Sequence, residues 1–256
     1  MTKMRKKSIV KKQAAIPEAL AQFVNNVCER QRQCGTSIRP PHMIIPLSSG
    51  NGRSFIAQTI AHQYYKANVL KFSSTDICLD FTMKETVQRV SQIDTDIQAN
   101  SGCTNEFCGV VALAIDDLLG HLREMPGNKF FELVAKIKVN ATLIIFVPSN
   151  ISRQQLAFIY EKTGAGVKVF SPIEYSDDDF TKFFYDALPP DVVPLKTEDV
   201  LHQNKKRINA YIAKNIRNKT IKSVKESAEA VFYDEMAIAE LFDKNDIANE
   251  NGGVWQ

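Results

Sequence analysis

Residues 42–61 read HMIIPLSSGNGRSFIAQTIA, and this stretch is the most informative in the sequence. A short apolar run, His42–Leu47, leads into a turn with two glycines, and a helix is expected to begin directly after that turn. A glycine-rich turn between a buried strand and a helix points backbone N–H groups and the positive end of the helix dipole toward an anion. The stretch therefore predicts a strand–loop–helix unit suited to phosphate.

The loop matches a phosphate-binding pattern at some positions and departs from it at others. The pattern G-x-x-x-x-G-K-[ST] requires two glycines, a lysine for the β- and γ-phosphates and a hydroxyl for Mg²⁺. Gly52 and Ser54 match, whereas Leu47 replaces the first glycine and Arg53 replaces the lysine. Because a planar guanidinium cannot replace a compact ammonium in the same space, we expect weakened nucleotide binding and weaker hydrolysis still. The candidate nucleotide-binding residues are Ser49, Gly50, Asn51, Gly52, Arg53, Ser54 and Phe55, with Ser54 also a candidate magnesium ligand.

Four further apolar runs follow this unit, at Val69–Phe72, Val110–Ile115, Ala141–Val147 and Val167–Phe170. The second and third of these are apolar at consecutive positions, which is typical of strands buried on both faces of a parallel sheet. Segments of helical length and amphipathic pattern separate the runs. The alternation predicts an α/β fold, a right-handed three-layer sandwich with a parallel five-stranded sheet. Taken with the phosphate-loop pattern, it predicts a sandwich of the P-loop NTPase type. Ligand-binding groups in such sheets collect at the carboxyl ends of the strands.

Polar side chains follow two of the predicted strands. Asp116 and Asp117 come directly after VVALAI; Asp116 is placed to hold Mg²⁺ and Asp117 to orient an attacking water. Alternatively the pair caps the following helix. Asn150 follows the next strand and is placed to contact a γ-phosphate or the water, or to take part with Ser149 in capping the next helix. Together with the loop, these residues favour a nucleotide site, with Asp117 and Asn150 as candidate catalytic residues.

The pattern becomes wholly helical after the fifth apolar run. Phe180, Phe183 and Phe184 begin an i, i+3, i+4 stripe, and helical stripes continue to about Phe242. We predict a basic flexible tail over residues 1–15, an α/β domain over 16–175, a small all-α domain over 176–245 and a flexible tail over 246–256.

The composition excludes several classes of protein. The 256 residues are 44% hydrophobic and 24% charged, which is typical of a globular chain, and no apolar window is long enough for a membrane span. The N-terminus is basic but lacks the apolar core of a secretory signal, so we predict a cytoplasmic protein. Five cysteines without a CxxC pair indicate reduced thiols, with a Cys103/Cys108 metal or redox pair as the alternative.

Two basic blocks interrupt an otherwise mixed charge pattern. They span residues 1–12 and 205–225, and neither contains an acidic residue. Such blocks either bind a polyanion such as nucleic acid or form a disordered tail and the solvated face of a helix. No Ser/His/Asp set stands out among the four histidines, so a hydrolase with a nucleophile triad is not expected.

Three segments together resemble motifs of the AAA+ ATPases. IIPLSSGNGRSFIAQTIA, ALAIDDL and TLIIFVPSN are similar to Walker A, Walker B and sensor 1, within a likeness that spans about residues 40–235. The loop is especially similar to that of the rubisco-activase and sporulation-protein-K-like branch. The resemblance implies ATP and Mg²⁺ in the cleft, a helical lid, and assembly into a ring. It also implies that Arg217 contacts the γ-phosphate, although the sequence fits a solvent-facing arginine equally well. Finally, it implies an arginine finger, for which Arg153 and Lys162 are the nearby cations.

The departures from the family pattern fall on catalytic positions, whereas the apolar framework is intact. We therefore expect a nucleotide-binding or pseudo-ATPase subunit of a homo- or hetero-oligomeric ring or other assembly, with a protein partner. Two alternatives are an active ATPase that remodels a protein or nucleic-acid partner, and a DNA-binding ATPase-like regulator.

Overall fold

The computed structural model describes residues 16–34, 40–70, 75–78, 88, 92, 95, 109–124, 131–132, 134–135, 141–164, 166–193 and 196–242. The predicted tails at 1–15 and 246–256 and the Cys103/Cys108 pair lie outside these residues. The strands are β1 (His42–Pro46), β2 (Thr75–Cys78), β3 (Val110–Ala114), β4 (Thr142–Val147) and β5 (Val167–Val169). The helices are α1 (Glu18–Cys34), α2 (Arg53–Lys66), α3 (Leu118–Glu124), α4 (Arg153–Thr163), α5 (Asp177–Ala187), α6 (Glu198–Asn215), α7 (Ile221–Ala230) and α8 (Glu235–Leu241), with a 3₁₀ turn at Val231–Tyr233.

The strands form a parallel sheet in the order β2-β3-β4-β1-β5, which confirms the predicted α/β class with a parallel sheet. Ile44 of β1 lies opposite Ile145 of β4 on one side and Val169 of β5 on the other. Because all strands run the same way, the segments that leave β1, β3 and β4 emerge at one edge. The loop after β1 therefore lies beside the residues that follow β4.

Pro46 occupies a central strand, where a missing N–H would normally break the hydrogen-bond ladder. It is the last residue of β1, and its carbonyl accepts from Ile173 N at 3.0 Å, beyond the end of β5 at Val169. The proline therefore lies where β5 no longer continues the ladder.

The second predicted strand was placed wrongly. The apolar run at Val69–Phe72 predicts a strand, whereas β2 is Thr75–Cys78 and Val69 and Leu70 are not in a strand. Lys71 and Phe72 lie outside the described residues. The chain leaves α2 through Asn68, which has a left-handed φ of 55°, and Val69 N donates to Tyr64 O at 2.8 Å. Val69 and Leu70 are buried in the core beside α2. These two residues are therefore apolar because they pack in the core where α2 ends, and not because they pair in a strand.

Two hydrophobic clusters cover the two faces of the sheet. Met43 and Ile45 of β1 pack with Leu20 of α1 and Ile60 of α2 on one face. Ile44, which points the opposite way, packs with Ile159 of α4 on the other. The alternation follows from the two-residue period of a strand and gives a three-layer arrangement.

Helices α5–α8, together called the helical subdomain below, enclose a third cluster of their own. Its buried members include Phe184 of α5, Ile208 and Ile212 of α6, and Val224 of α7. Capping boxes at Ser176 and Thr220 fix the starts of α5 and α7. None of the helices that the structure describes combines the length and apolar character needed to cross a membrane.

We predict that His42→Leu destabilises the sheet. His42 is 5% exposed, and its Nδ1 accepts a hydrogen bond from Leu143 N of β4 at 3.0 Å. Leucine would leave that buried N–H without this acceptor, which lowers the free energy of unfolding by about 1–3 kcal/mol. Urea denaturation followed by circular dichroism measures the change. The exposed His202 of α6 provides the control, and equal losses in His42→Leu and His202→Leu would contradict the prediction.

Candidate functional site at the carboxyl edge of the sheet

Two serines join the loop after β1 to the end of β4. Ser48 N donates to Ser149 Oγ at 3.2 Å, and Ser149 N donates to Ser48 Oγ at the same distance. The two hydroxyl oxygens are also 3.2 Å apart. These reciprocal bonds satisfy backbone N–H groups of both loops. They fix where the phosphate-loop sequence begins relative to the strand beside it.

Arg53, the first residue of α2, turns its side chain into the protein and is only 4% exposed. Its Nη1 and Nη2 donate to Asp116 Oδ2 and Oδ1 at 2.8 and 2.5 Å, a bidentate ion pair. Its Nε donates to Leu47 O at 2.7 Å, and its guanidinium lies 5.9 Å from the centre of the Phe146 ring. Hydrogen bonds between ionised groups are stronger than neutral ones, and the guanidinium fork matches a carboxylate in shape.

The two departures from the phosphate-loop pattern are therefore in contact with each other. Arg53, which replaces the lysine, donates to the carbonyl of Leu47, which replaces the first glycine. The same guanidinium holds the carboxylate that the sequence assigned to magnesium. The structure thus brings together the candidate phosphate-binding cation and the candidate metal ligand as a pair.

A magnesium ion at Asp116 does not fit this arrangement. Both carboxylate oxygens already accept from Arg53, and the adjacent positive charge opposes a divalent cation. Across the ranges that the structure describes, no group of three or more His, Cys, Asp or Glu side chains is arranged to hold a metal. A phosphate group fits better. Gly52, the N-cap residue of α2, has a φ of 87° and provides no side-chain cap, so the helix N-terminus can present backbone N–H groups to an anion.

Asp117 serves the helix that follows it. Its Oδ1 accepts from Gly120 N at 2.9 Å. A Cβ on Gly120 would lie 2.3 Å from Asp117 Oδ2, so glycine is required for the carboxylate to sit there. The helix-capping alternative from the sequence therefore describes the contact that Asp117 makes in the structure.

The helical subdomain contacts the loop at Gly50 and Asn51. Ile221 N donates to Asn51 Oδ1 at 3.1 Å, and Lys222 N donates to Gly50 O at 2.9 Å. Tyr175 adds a long hydrogen bond of 3.4 Å from its hydroxyl to Asn51 O. Burial raises the pKa of Tyr175, and the nearby Asp179 carboxylate raises it further, so this hydroxyl keeps its proton well beyond neutral pH.

The other candidate residues lie on the surface. Those that are exposed are Ser49, Ser54, Phe55, Asn150 and Arg217. Of the two cations considered for an arginine finger, Arg153 is exposed at the start of α4 and Lys162 lies 5.6 Å from the centre of the Phe158 ring.

Sequence reasoning did not identify Tyr175, Thr220 or Gly120 as part of this edge. Thr220 and Ser223 form a capping-box pattern that marks the start of α7, but that pattern says nothing of its contact with a loop far away in sequence. Tyr175 carries no local signal for its role, because it is an aromatic residue just before a helix cap.

Several solved structures superimpose on this chain at low sequence identity. PCH-2 from C. elegans superimposes with a TM-score of 0.51 at 12% sequence identity, over 87% of this chain and 66% of the PCH-2 chain. Domain III of the replication initiation protein DnaA from Thermotoga maritima gives 0.49 at 10% identity, over 92% of both chains. A replication initiator DnaA bound to AMPPCP and single-stranded DNA gives 0.46 at 12% identity, over 85% of this chain and 61% of that one.

The chain has the AAA+ type of P-loop NTPase fold. It spans just under two thirds of the length of PCH-2 and of the DnaA bound to AMPPCP. Neither the protein-family models nor the curated proteins contain a match to this sequence. The likeness to the rubisco-activase and sporulation-protein-K-like branch stays a prediction.

We predict that Arg53→Met destabilises the protein by about 2 kcal/mol, because it removes charged hydrogen bonds to Asp116 and Leu47 O. Arg153→Met, at an exposed arginine that also begins a helix, is the matched control. In a double-mutant cycle of Arg53→Met with Asp116→Asn, measured by urea denaturation, we expect a coupling energy of at least about 1 kcal/mol. Additive effects would show that the ion pair does not stabilise the fold.

Proposed function

We propose that this protein is an AAA+-like, non-hydrolysing subunit of a ring or other multiprotein assembly, with weak affinity for ATP. The ion pair between Arg53 and Asp116 is the observation that carries the proposal. It occupies the two charged groups that ATP hydrolysis would need for the phosphates and for Mg²⁺. Catalysis is therefore expected to be absent, while the fold remains available for binding.

Weak nucleotide binding is supported by the start of α2. Gly52 has no side chain to cap the helix, so phosphate contacts would come from backbone N–H groups and the helix dipole. Ser49, Asn51, Ser54 and Phe55 complete the proposed binding loop. Arg53 would contribute charge only by leaving Asp116, and that carboxylate would then be left without its partner.

The remaining candidate roles require rearrangement of the described structure. Asp117 would have to release Gly120 N to orient water, and Asn150 and Arg217 would have to turn from solvent to a γ-phosphate. This requirement favours the pseudo-ATPase over the active ATPase. We propose residues 176–245 as the lid, because the resemblance to AAA+ ATPases implies one. We propose a cytoplasmic location for the assembly from the sequence pattern of the N-terminus.

A nucleic-acid partner is less well supported by the second basic block. Four of its lysines pair with carboxylates of the helical subdomain, as Lys205–Asp178, Lys214–Glu240, Lys219–Asp177 and Lys222–Glu226, at 2.7, 3.0, 2.9 and 3.9 Å. Exposed ion pairs contribute little stability, but the carboxylates beside these lysines reduce the local positive potential. The observations therefore favour a protein partner.

We predict that the purified protein releases no phosphate from ATP above the background, and that calorimetry gives the same weak ATP affinity with Mg²⁺ and with EDTA. Both results follow because Arg53 holds Asp116. Phosphate release that is lost in Asp117→Asn would overturn the proposal and establish an active ATPase.

The variant Arg53→Lys tests the physical reason. One ammonium cannot bond to both Asp116 oxygens and Leu47 O together, so we expect ATP binding to become dependent on Mg²⁺ and to tighten by about tenfold, or about 1.4 kcal/mol. Arg32→Lys makes the same chemical change at an exposed position of α1 and should leave ATP binding unaltered. Equal binding by both variants would show that the ion pair does not limit the site.

The assembly is tested by light scattering on a size-exclusion column. A homo-oligomer has a mass that is a multiple of 28.8 kDa. We expect that mass to be unchanged by ATP, because the proposed role does not depend on turnover. An oligomer that forms only with ATP would contradict this part of the proposal.

A further inference from the structure

The first turn of α7 is bonded to the phosphate-loop sequence instead of to solvent. A helix begins with backbone N–H groups that have no partner inside the helix. Here Ile221 N donates to Asn51 Oδ1, Lys222 N donates to Gly50 O, and Ser223 N donates to Thr220 Oγ1 at 3.1 Å. Two of these three bonds cross from the helical subdomain to the loop. The loop thus supplies oxygen acceptors to the positive end of the α7 dipole.

The glycines of the loop fit this contact. A Cβ on Gly50 would lie 3.0 Å from Thr220 Oγ1, and the φ of Gly50 is 80°. A Cβ on Gly52 would lie 3.9 Å from Ile221 Cδ1, in ordinary contact. Gly50 therefore lets Thr220 approach the loop backbone closely. The glycine spacing that predicts a phosphate loop also serves the packing of α7.

Tyr175 lies in the segment that joins the sheet to the helical subdomain, and it contacts the loop residue Asn51. It packs against the core cluster beneath α1 and α2 and against the cluster of the helical subdomain. Its ring makes edge contacts with Phe180 and Phe183, at centroid distances of 6.1 and 5.5 Å. Its hydroxyl donates to Asn51 O. Asn51 is therefore bonded through its side chain to α7 and through its backbone to the connecting segment.

We propose that Gly50, Asn51, Thr220, Ile221 and Lys222 form a latch that holds the helical subdomain closed on the loop without nucleotide. The latch fixes the loop backbone at Gly50 and Asn51 relative to α7. The inference rests on the proposed function in that it concerns regulation of the same site. It goes further in assigning closure to contacts within the chain, so that ATP is not needed for closure.

Substitutions at Asn51 separate the acceptor from the shape of the side chain. Asn51→Ala removes the Oδ1 acceptor. Asn51→Asp keeps an oxygen at nearly the same place and adds negative charge at a helix N-terminus, which is favourable. The exposed Asn150, at the same edge of the sheet, provides the control as Asn150→Ala.

Hydrogen exchange measured by mass spectrometry on the nucleotide-free full chain tests the latch. In Asn51→Ala, peptides over residues 48–55 and 219–226 should exchange faster by at least about fivefold, the fold-change expected when one net hydrogen bond is lost. Asn51→Asp should exchange at or below the wild-type rate, and Asn150→Ala at the wild-type rate. Circular dichroism verifies that each variant is folded.

Two outcomes overturn the proposal. One is unchanged exchange of both peptides in folded Asn51→Ala. The other is a wild-type chain in which ATP slows exchange of residues 219–226, which would show that nucleotide drives closure. The proposed function fails separately, by phosphate release from wild-type protein, because the exchange experiment on the Asn51 variants contains no nucleotide.

Discussion

The bidentate ion pair between Arg53 and Asp116 connects the ends of three strands. Arg53 begins the helix that follows β1, Asp116 follows β3, and the guanidinium lies over Phe146 of the intervening strand β4. A charge that is buried as fully as Arg53 must be paired and hydrogen-bonded, because its transfer from water is otherwise unfavourable. The guanidinium meets that requirement with Asp116 and Leu47 O. The position of α2 and the path of the loop depend on this pair.

The same pair limits what the edge can do chemically. A cation that neutralises Asp116 and a carboxylate that neutralises Arg53 leave little net charge for a phosphate or a divalent metal. Asp117 is committed to Gly120 N, and Ser48 and Ser149 are committed to each other. The polar groups named here are therefore used to hold the protein together. That use accounts for the partners of Asp116 and Asp117, which bond to groups within the protein at the positions that the sequence assigned to magnesium and to water.

The sequence was sufficient to predict the parts of the fold that depend on local periodicity. Runs that are apolar at consecutive positions located β3 and β4 closely, and the glycine-rich turn located the end of β1 and the start of α2. The second strand was predicted at Val69–Phe72, too early in the chain. Val69 and Leu70 pack in the core just after α2 ends, and apolar residues in such a place have the same composition as a short strand. The pairing of Arg53 with Asp116 joins residues 63 positions apart, and no local pattern encodes it. Comparison with the motif assigned Arg53 to a phosphate and Asp116 to magnesium. It therefore did not show that these two side chains form an ion pair with each other.

Glycines in such a loop are not by themselves evidence for nucleotide. Gly50 and Gly52 have φ values of 80° and 87°, and this backbone shape favours glycine whether the loop surrounds a phosphate or receives a neighbouring helix. In this chain Gly50 O accepts from Lys222 N, and the absence of a Cβ on Gly50 lets Thr220 approach. A loop that surrounds a phosphate and a loop that receives a helix differ in the side chain between the two glycines and in the side chain after Gly52. Asn51 provides an acceptor for α7, and Arg53 points inward to a carboxylate, so the side chains at these two positions favour internal contacts over a bound ligand.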